Sequence, residues 1–226
     1  YALMLRGLRR WNDVVDVLPE RVALHHPGAA VLRASALVSV GYVEEAQRLL
    51  QRALQAFPSS DDLKISLGHI LCSYLNAPEA AIDLLRLGGG STRPSHPMVA
   101  NNLAYALIKA NRLDEVREVL ADHFVALGNE RSPTAICVRA TWGLLRIREG
   151  SFADGMALYR QALAQADHEQ AARLRQKILV EEARYLLRQG QRELASRKLR
   201  KAVGLHADAE FGAEAKELLR SLQPIN

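Results

Sequence analysis

A turn residue that returns on a near-fixed interval constrains this chain more than any other feature. Gly41, Asn76, Asn111, Gly150 and Gly190 recur at intervals of 35, 35, 39 and 40 residues. Glycine enters left-handed backbone geometry without steric cost, and asparagine tolerates it better than most residues. Each position therefore reads as a tight reversal between two segments rich in Ala and Leu. A period of this size marks an array of supersecondary units, each needing a neighbour to cover its apolar face.

The flanking residues identify those segments as helices. Ala, Leu, Arg, Glu and Gln dominate, and these lose little side-chain freedom in a helix. Alternating β-branched runs, the usual mark of a strand, are absent. Hydrophobic residues make up 49% of the 226-residue chain, with only 5% aromatic. The expected fold class is all-α.

Small residues then recur in register. Ala34, Ala104, Gly143 and Ala183 precede the turns, and Ala46, Ala81, Gly155 and Ala195 follow five residues after them. Paired small residues let two helix backbones approach closely, while Leu50, Leu85, Leu120, Tyr159 and Leu199 fill the space beyond. A bulky side chain at Ala46 is expected to overpack this contact and cost roughly 1–3 kcal/mol.

With these residues in phase, the chain resembles the tetratricopeptide repeat, a helix–turn–helix unit of about 34 residues. The clearest copy runs Gly41-Tyr42-Val43-Glu44-Glu45-Ala46, then Leu50, Ala53 and Pro58; a second has Trp142-Gly143, Gly150-Ser151-Phe152, Tyr159 and Ala162. The expected organisation is a single array over 1–226. Its units are a partial repeat 1–26, then 27–60, 61–96, 97–134, 135–168, 169–206, and a capping helix over 207–226. Ala2 and Leu5 match the end of a first helix, and Trp11, Val14 and Leu18 match a second. The chain opens Tyr1-Ala2-Leu3-Met4, which reads as the start of a fragment of a longer protein. The longer later intervals are assigned to longer helices or loops around Asn129–Thr134 and Ala166–Gln170. The run Gly88-Gly89-Gly90-Ser91-Thr92-Arg93-Pro94 reads as a connector, since it lacks the context of a phosphate loop.

The resemblance implies a right-handed α-solenoid whose first helices line a concave groove that holds a protein or peptide partner. Residues two places before each turn would face that groove: Ser39, Lys109, Arg148 and Arg188, with Ser73 or Tyr74 at the Asn76 turn. Residues six before add Ser35, Tyr105, Leu144 and Arg184, and Asn101 and Lys177 follow by the same spacing. Asn102 matches the central asparagine with which chaperone-binding members clamp a terminal carboxylate. The other clamp positions hold Ile65, His69, Cys137 and Thr141, so that clamp is not expected. The candidate partner-binding set is Asn101, Asn102, Tyr105, Lys109, Arg148, Lys177, Arg184 and Arg188, and basic residues over 173–201 suggest an acidic segment.

Other chemistry finds little support. The histidines His25, His26, His69, His96, His123, His168 and His206 form no metal-ligand spacing, and Cys72 and Cys137 match no redox or metal motif. Glu44-Glu45 and Glu181-Glu182 read as solvated faces, because adjacent helical residues point apart. No nucleophile elbow occurs. The expectation is a non-enzyme without cofactor or metal, in a reducing, cytoplasmic setting. A targeting segment upstream of Tyr1 stays open. Net charge is +5, from 30 basic and 25 acidic side chains, too mild to imply nucleic acid by itself. Two alternatives stand beside the interaction module: a recognition segment of a larger enzyme or transcription regulator, and a helical repeat that binds nucleic acid through its basic C-terminal face.

Overall fold

The computed structural model describes residues 1–86, 94–128, 130–205 and 210–222, without the side chain of Glu169. The glycine-rich run over 88–93, Asn129, His206 and Pro224 lie outside the described residues. Among the described residues there are fourteen helices and no strand. They form two compact units, Tyr1–Val119 and Leu120–Asn226.

The first unit holds α1 (Ala2–Gly7), α2 (Trp11–Val17), α3 (Glu20–Ala23), α4 (Pro27–Ser39), α5 (Val43–Ala56), α6 (Asp61–Ser73), α7 (Pro78–Arg86) and α8 (Pro97–Lys109). The division falls inside α9 (Leu113–Ala126). The second unit continues with α10 (Pro133–Arg148), α11 (Phe152–Gln165), α12 (His168–Arg188), α13 (Arg192–Leu205) and α14 (Glu210–Ser221). Consecutive helices pack as hairpins, α4 on α5, α6 on α7, α10 on α11 and α12 on α13.

All five expected turn residues have left-handed backbone: φ is 92° at Gly41, 48° at Asn76, 60° at Asn111, 92° at Gly150 and 73° at Gly190. After four of them, the next N–H donates to the carbonyl five residues back: Tyr42 to Leu37, Arg112 to Leu107, Ser151 to Arg146 and Gln191 to Leu186, at 2.8–2.9 Å. This closure satisfies helix-end carbonyls that would otherwise be unpaired. At Asn76 the bond runs one residue further, from Ala77 to Leu71 at 2.8 Å. That extra residue explains the ambiguous register: Ser73, like Ser39, Lys109, Arg148 and Arg188, is the last residue of its helix.

A sixth reversal escaped the sequence pattern. Arg9 has φ 55°, and Arg10 N–H donates to Leu5 O at 3.0 Å, so α1 and α2 form the same kind of hairpin. Arginine carries no turn signal, and here packing of Leu5 and Val14 with Leu18, Leu32 and Ala36 imposes the geometry. The long later interval is also resolved. α12 spans 21 residues and only Ala166 and Asp167 separate it from α11, so the stretch Ala166–Gln170 is mostly helix.

The small residues do what their register implies. Ala34, Ala46, Ala81, Ala104, Ala183 and Ala195 are all at most 1% exposed. In the α10–α11 hairpin, a Cβ built on Gly155 would lie 2.5 Å from the Gly143 carbonyl oxygen and 2.5 Å from Ile147 Cγ1, so only glycine fits there. In α14, Phe211 and Ala215 join the core of α12 and α13, with Leu218, Leu219 and Leu222 packed against it.

Candidate functional site

The first-helix residues singled out by register fall into two groups, one in each unit. In the first unit, Asn102 on α8 donates from Nδ2 to the Ile65 carbonyl of α6 at 3.1 Å and accepts from Asn101 at 3.2 Å. Asn101 is buried, and its own Oδ1 has no hydrogen-bond partner. Tyr105 is half-buried on the next turn, and Lys109 stands exposed at the helix end. On α6, His69 contacts Ser73 at 3.1 Å and meets the Tyr74 ring edge-on.

In the second unit the candidates belong to a network of ion pairs. Arg148, at the end of α10, donates to both carboxylate oxygens of Glu181 on α12, at 2.5 and 2.8 Å. Glu181 is only 4% exposed. The reading of Glu181-Glu182 as a solvated face is therefore corrected: Glu181 turns inward to Arg148, and Glu182 pairs with Lys198 of α13 at 2.6 Å. Adjacent helical residues do point apart, but here both directions lead to a neighbouring helix. Arg184 pairs with Glu214 of α14, and Arg173 with Glu210 at 3.6 Å.

Burial and pairing shift the protonation equilibria in this network. Burial lowers the Arg148 pKa, but the hydrogen bond and charge of Glu181 outweigh it and leave the group raised. Lys177 is buried on α12, its Nζ 5.6 Å from the Tyr159 ring centroid and 5.5 Å from that of Phe211. Desolvation pushes its pKa down, against the opposing pull of Glu210 and Glu181. The Tyr159 hydroxyl is fully buried without a hydrogen-bond partner, and desolvation followed by the charge of Glu181 raises its pKa.

The candidate set thus divides by accessibility. Asn101 and Lys177, at 6% and 8% exposure, lie within the packing. Arg148 is held mainly against Glu181. Arg184 is partly exposed on α12, and Arg188, one turn further on the same helix, is exposed with no acidic partner among the described residues. The basic excess legible over 173–201 is reduced by carboxylates, two of which, Glu210 and Glu214, lie beyond that window on α14.

Remaining groups take structural positions. His96 caps α8, accepting from the Met98 N–H at 3.2 Å. Cys72 is buried, and burial raises the Cys137 thiol pKa. Among the described residues no cluster of three metal-ligating side chains occurs, and no helix is long and apolar enough to cross a membrane. Pattern reading also missed Arg33, a buried arginine whose Nη1 donates to the Val15 and Leu18 carbonyls at 2.5 and 2.6 Å, closing the end of α2. Its apolar neighbours in sequence gave no signal for that role.

No family model matches the chain, and no curated protein matches it. Solved structures do. A tetratricopeptide repeat protein from Parabacteroides merdae aligns over 98% of this chain and 81% of its own length, with TM-score 0.67 and 14% identity. TTC0263, a thermophilic tetratricopeptide repeat protein of Thermus thermophilus, aligns over 87% and 98%, with TM-score 0.61 and 19% identity. PilW, a type IV pilus biogenesis factor, aligns over 95% and 94%, with TM-score 0.59 and 14% identity. At these identities the likeness establishes the fold.

Proposed function

We propose that this chain, with the helical-hairpin fold of tetratricopeptide repeat proteins, is a non-catalytic protein-binding module that receives an acidic segment on its first-helix faces. The observation carrying this reading is the pair of arginines on α12, one partly exposed and one exposed. Arg184 is held in place by Glu214, and Arg188 lies one turn away without an acidic partner among the described residues. An arginine already oriented by a carboxylate loses less side-chain entropy on binding, and the guanidinium fork matches a further carboxylate well. On α8, Asn102, Tyr105 and Lys109 present a second polar face, with Asn102 fixed by the Ile65 carbonyl.

The test is selection from a displayed peptide library, followed by binding measurements with Arg188→Glu and Lys109→Glu made separately. Both residues are exposed, so helicity should persist. Selected peptides are expected to be enriched in Asp and Glu, and Arg188→Glu should weaken them roughly tenfold. A library without acidic bias, or equal binding by the folded Arg188→Glu chain, would overturn the reading. Arg148 is unsuited to this test, because reversing it would set two carboxylates against each other in a buried position.

A further inference from the structure

Helix α13 carries Arg192, Arg197, Lys198, Arg200 and Lys201 against Glu193 alone. Its inner side is Ala195, Leu199 and Ala202, all fully buried. One flank of the helix, about a third of a turn round from that inner side, is Leu194, Arg197, Lys198, Lys201 and Leu205, and Arg200 lies off it. Leu194 and Leu205 are 47% and 46% exposed, about 16 Å apart along the helix. Lys198 and Arg197 each have a glutamate partner, whereas Arg200 and Lys201 have none among the described residues.

We propose that this flank of α13 docks on an anionic phospholipid surface. Such a surface satisfies both components of the flank at once. Headgroup charge attracts Lys201 and Arg197, and the acyl boundary accepts the two leucines while the long basic side chains extend back to the headgroups. A nucleic acid would meet the charge but leave the leucines in water, and α13 offers no aromatic for stacking. The nearby Tyr185 is already stacked on Phe152 at 3.9 Å. The attachment is peripheral, through a helix whose other side belongs to the core of the second unit. It uses a different face from Arg184 and Arg188, so the two proposals stand or fall separately.

The experiment is co-sedimentation of the full chain with vesicles of phosphatidylcholine alone, or containing about a third phosphatidylserine. The chain is expected to pellet with the phosphatidylserine vesicles, and less at higher salt. The variant Arg197→Gln/Lys201→Gln should reduce that binding roughly tenfold or more, given about 1 kcal/mol for each basic residue near such a surface. Leu194→Ser/Leu205→Ser should also reduce it at unchanged charge, whereas Arg188→Gln should not. Equal pelleting with both vesicle types would overturn the proposal. So would loss caused by Arg188→Gln to the same degree, or tighter binding to a single-stranded oligonucleotide than to the anionic vesicles.

Discussion

At the scale of single residues, the described glycine with least room for a side chain is Gly155, against Gly143. A methyl group on Gly155 meets backbone oxygen and Ile147 together, and backbone cannot rotate away as a side-chain tip can. Gly155→Ala is expected to destabilise the second unit by roughly 1–3 kcal/mol, read as a lower midpoint in urea. The Arg148–Glu181 pair makes a second residue-scale prediction. Glu181→Ala leaves a largely buried guanidinium without its partner and should cost about 3 kcal/mol. Arg148→Met/Glu181→Leu removes both charges and should recover most of that loss. A double variant as unstable as the single one would show that packing, and not charge, sets the cost.

Between elements, Glu115 ties α9 to α7. It accepts from Arg112 at 2.6 and 3.0 Å and from Arg86 of α7, while Arg112 also reaches Glu79 at 3.1 Å. The hydrogen bonds from Arg112 and then Arg86 hold the Glu115 carboxyl at about 2, well below its ordinary value of 4.5. The folded state therefore binds this proton less readily than the unfolded chain. Its stabilising contribution is complete above pH 4.5 and is lost as pH falls toward 2. Replacing Glu115 with Gln should flatten the decline in stability across that window, measured by urea unfolding at a series of pH values. Half-exposed ion pairs of this kind are weakened by salt, so the difference should shrink in high salt. A separate element-scale prediction concerns α12, whose N-terminus is capped by Asp167 accepting from the Gln170 N–H at 2.8 Å. Asp167→Ala should cost about 1 kcal/mol, and Asp167→Asn much less.

At the largest scale, within each unit successive helices pack on their neighbours along the chain, so local stability should vary from hairpin to hairpin. In the first unit, α1, α2 and α3 are only 6, 7 and 4 residues long, and Leu3, Met4 and Leu8 are exposed. Helices this short hold poorly without extensive packing. Amide hydrogen exchange should therefore be faster across α1–α3 than across α4–α8, and uniform protection would contradict this gradient.

The sequence alone determined the helical class, the five reversals, the small residues at the helix contacts, and the resemblance to tetratricopeptide repeats. All of these rest on local rules: left-handed geometry favours Gly or Asn, close helices need small side chains, and both repeat at a near-fixed interval. Only the tertiary structure decided the turn at Arg9, the burial of Arg33 and Lys177, the exact helix end at Ser73, and the partners of the basic residues. Each depends on groups distant in sequence. Arg148 finds Glu181, 33 residues away, and Arg184 finds Glu214, 30 residues away. A charge counted along the chain says how many cations there are; which of them remain unpaired is settled only when neighbouring helices bring their carboxylates alongside.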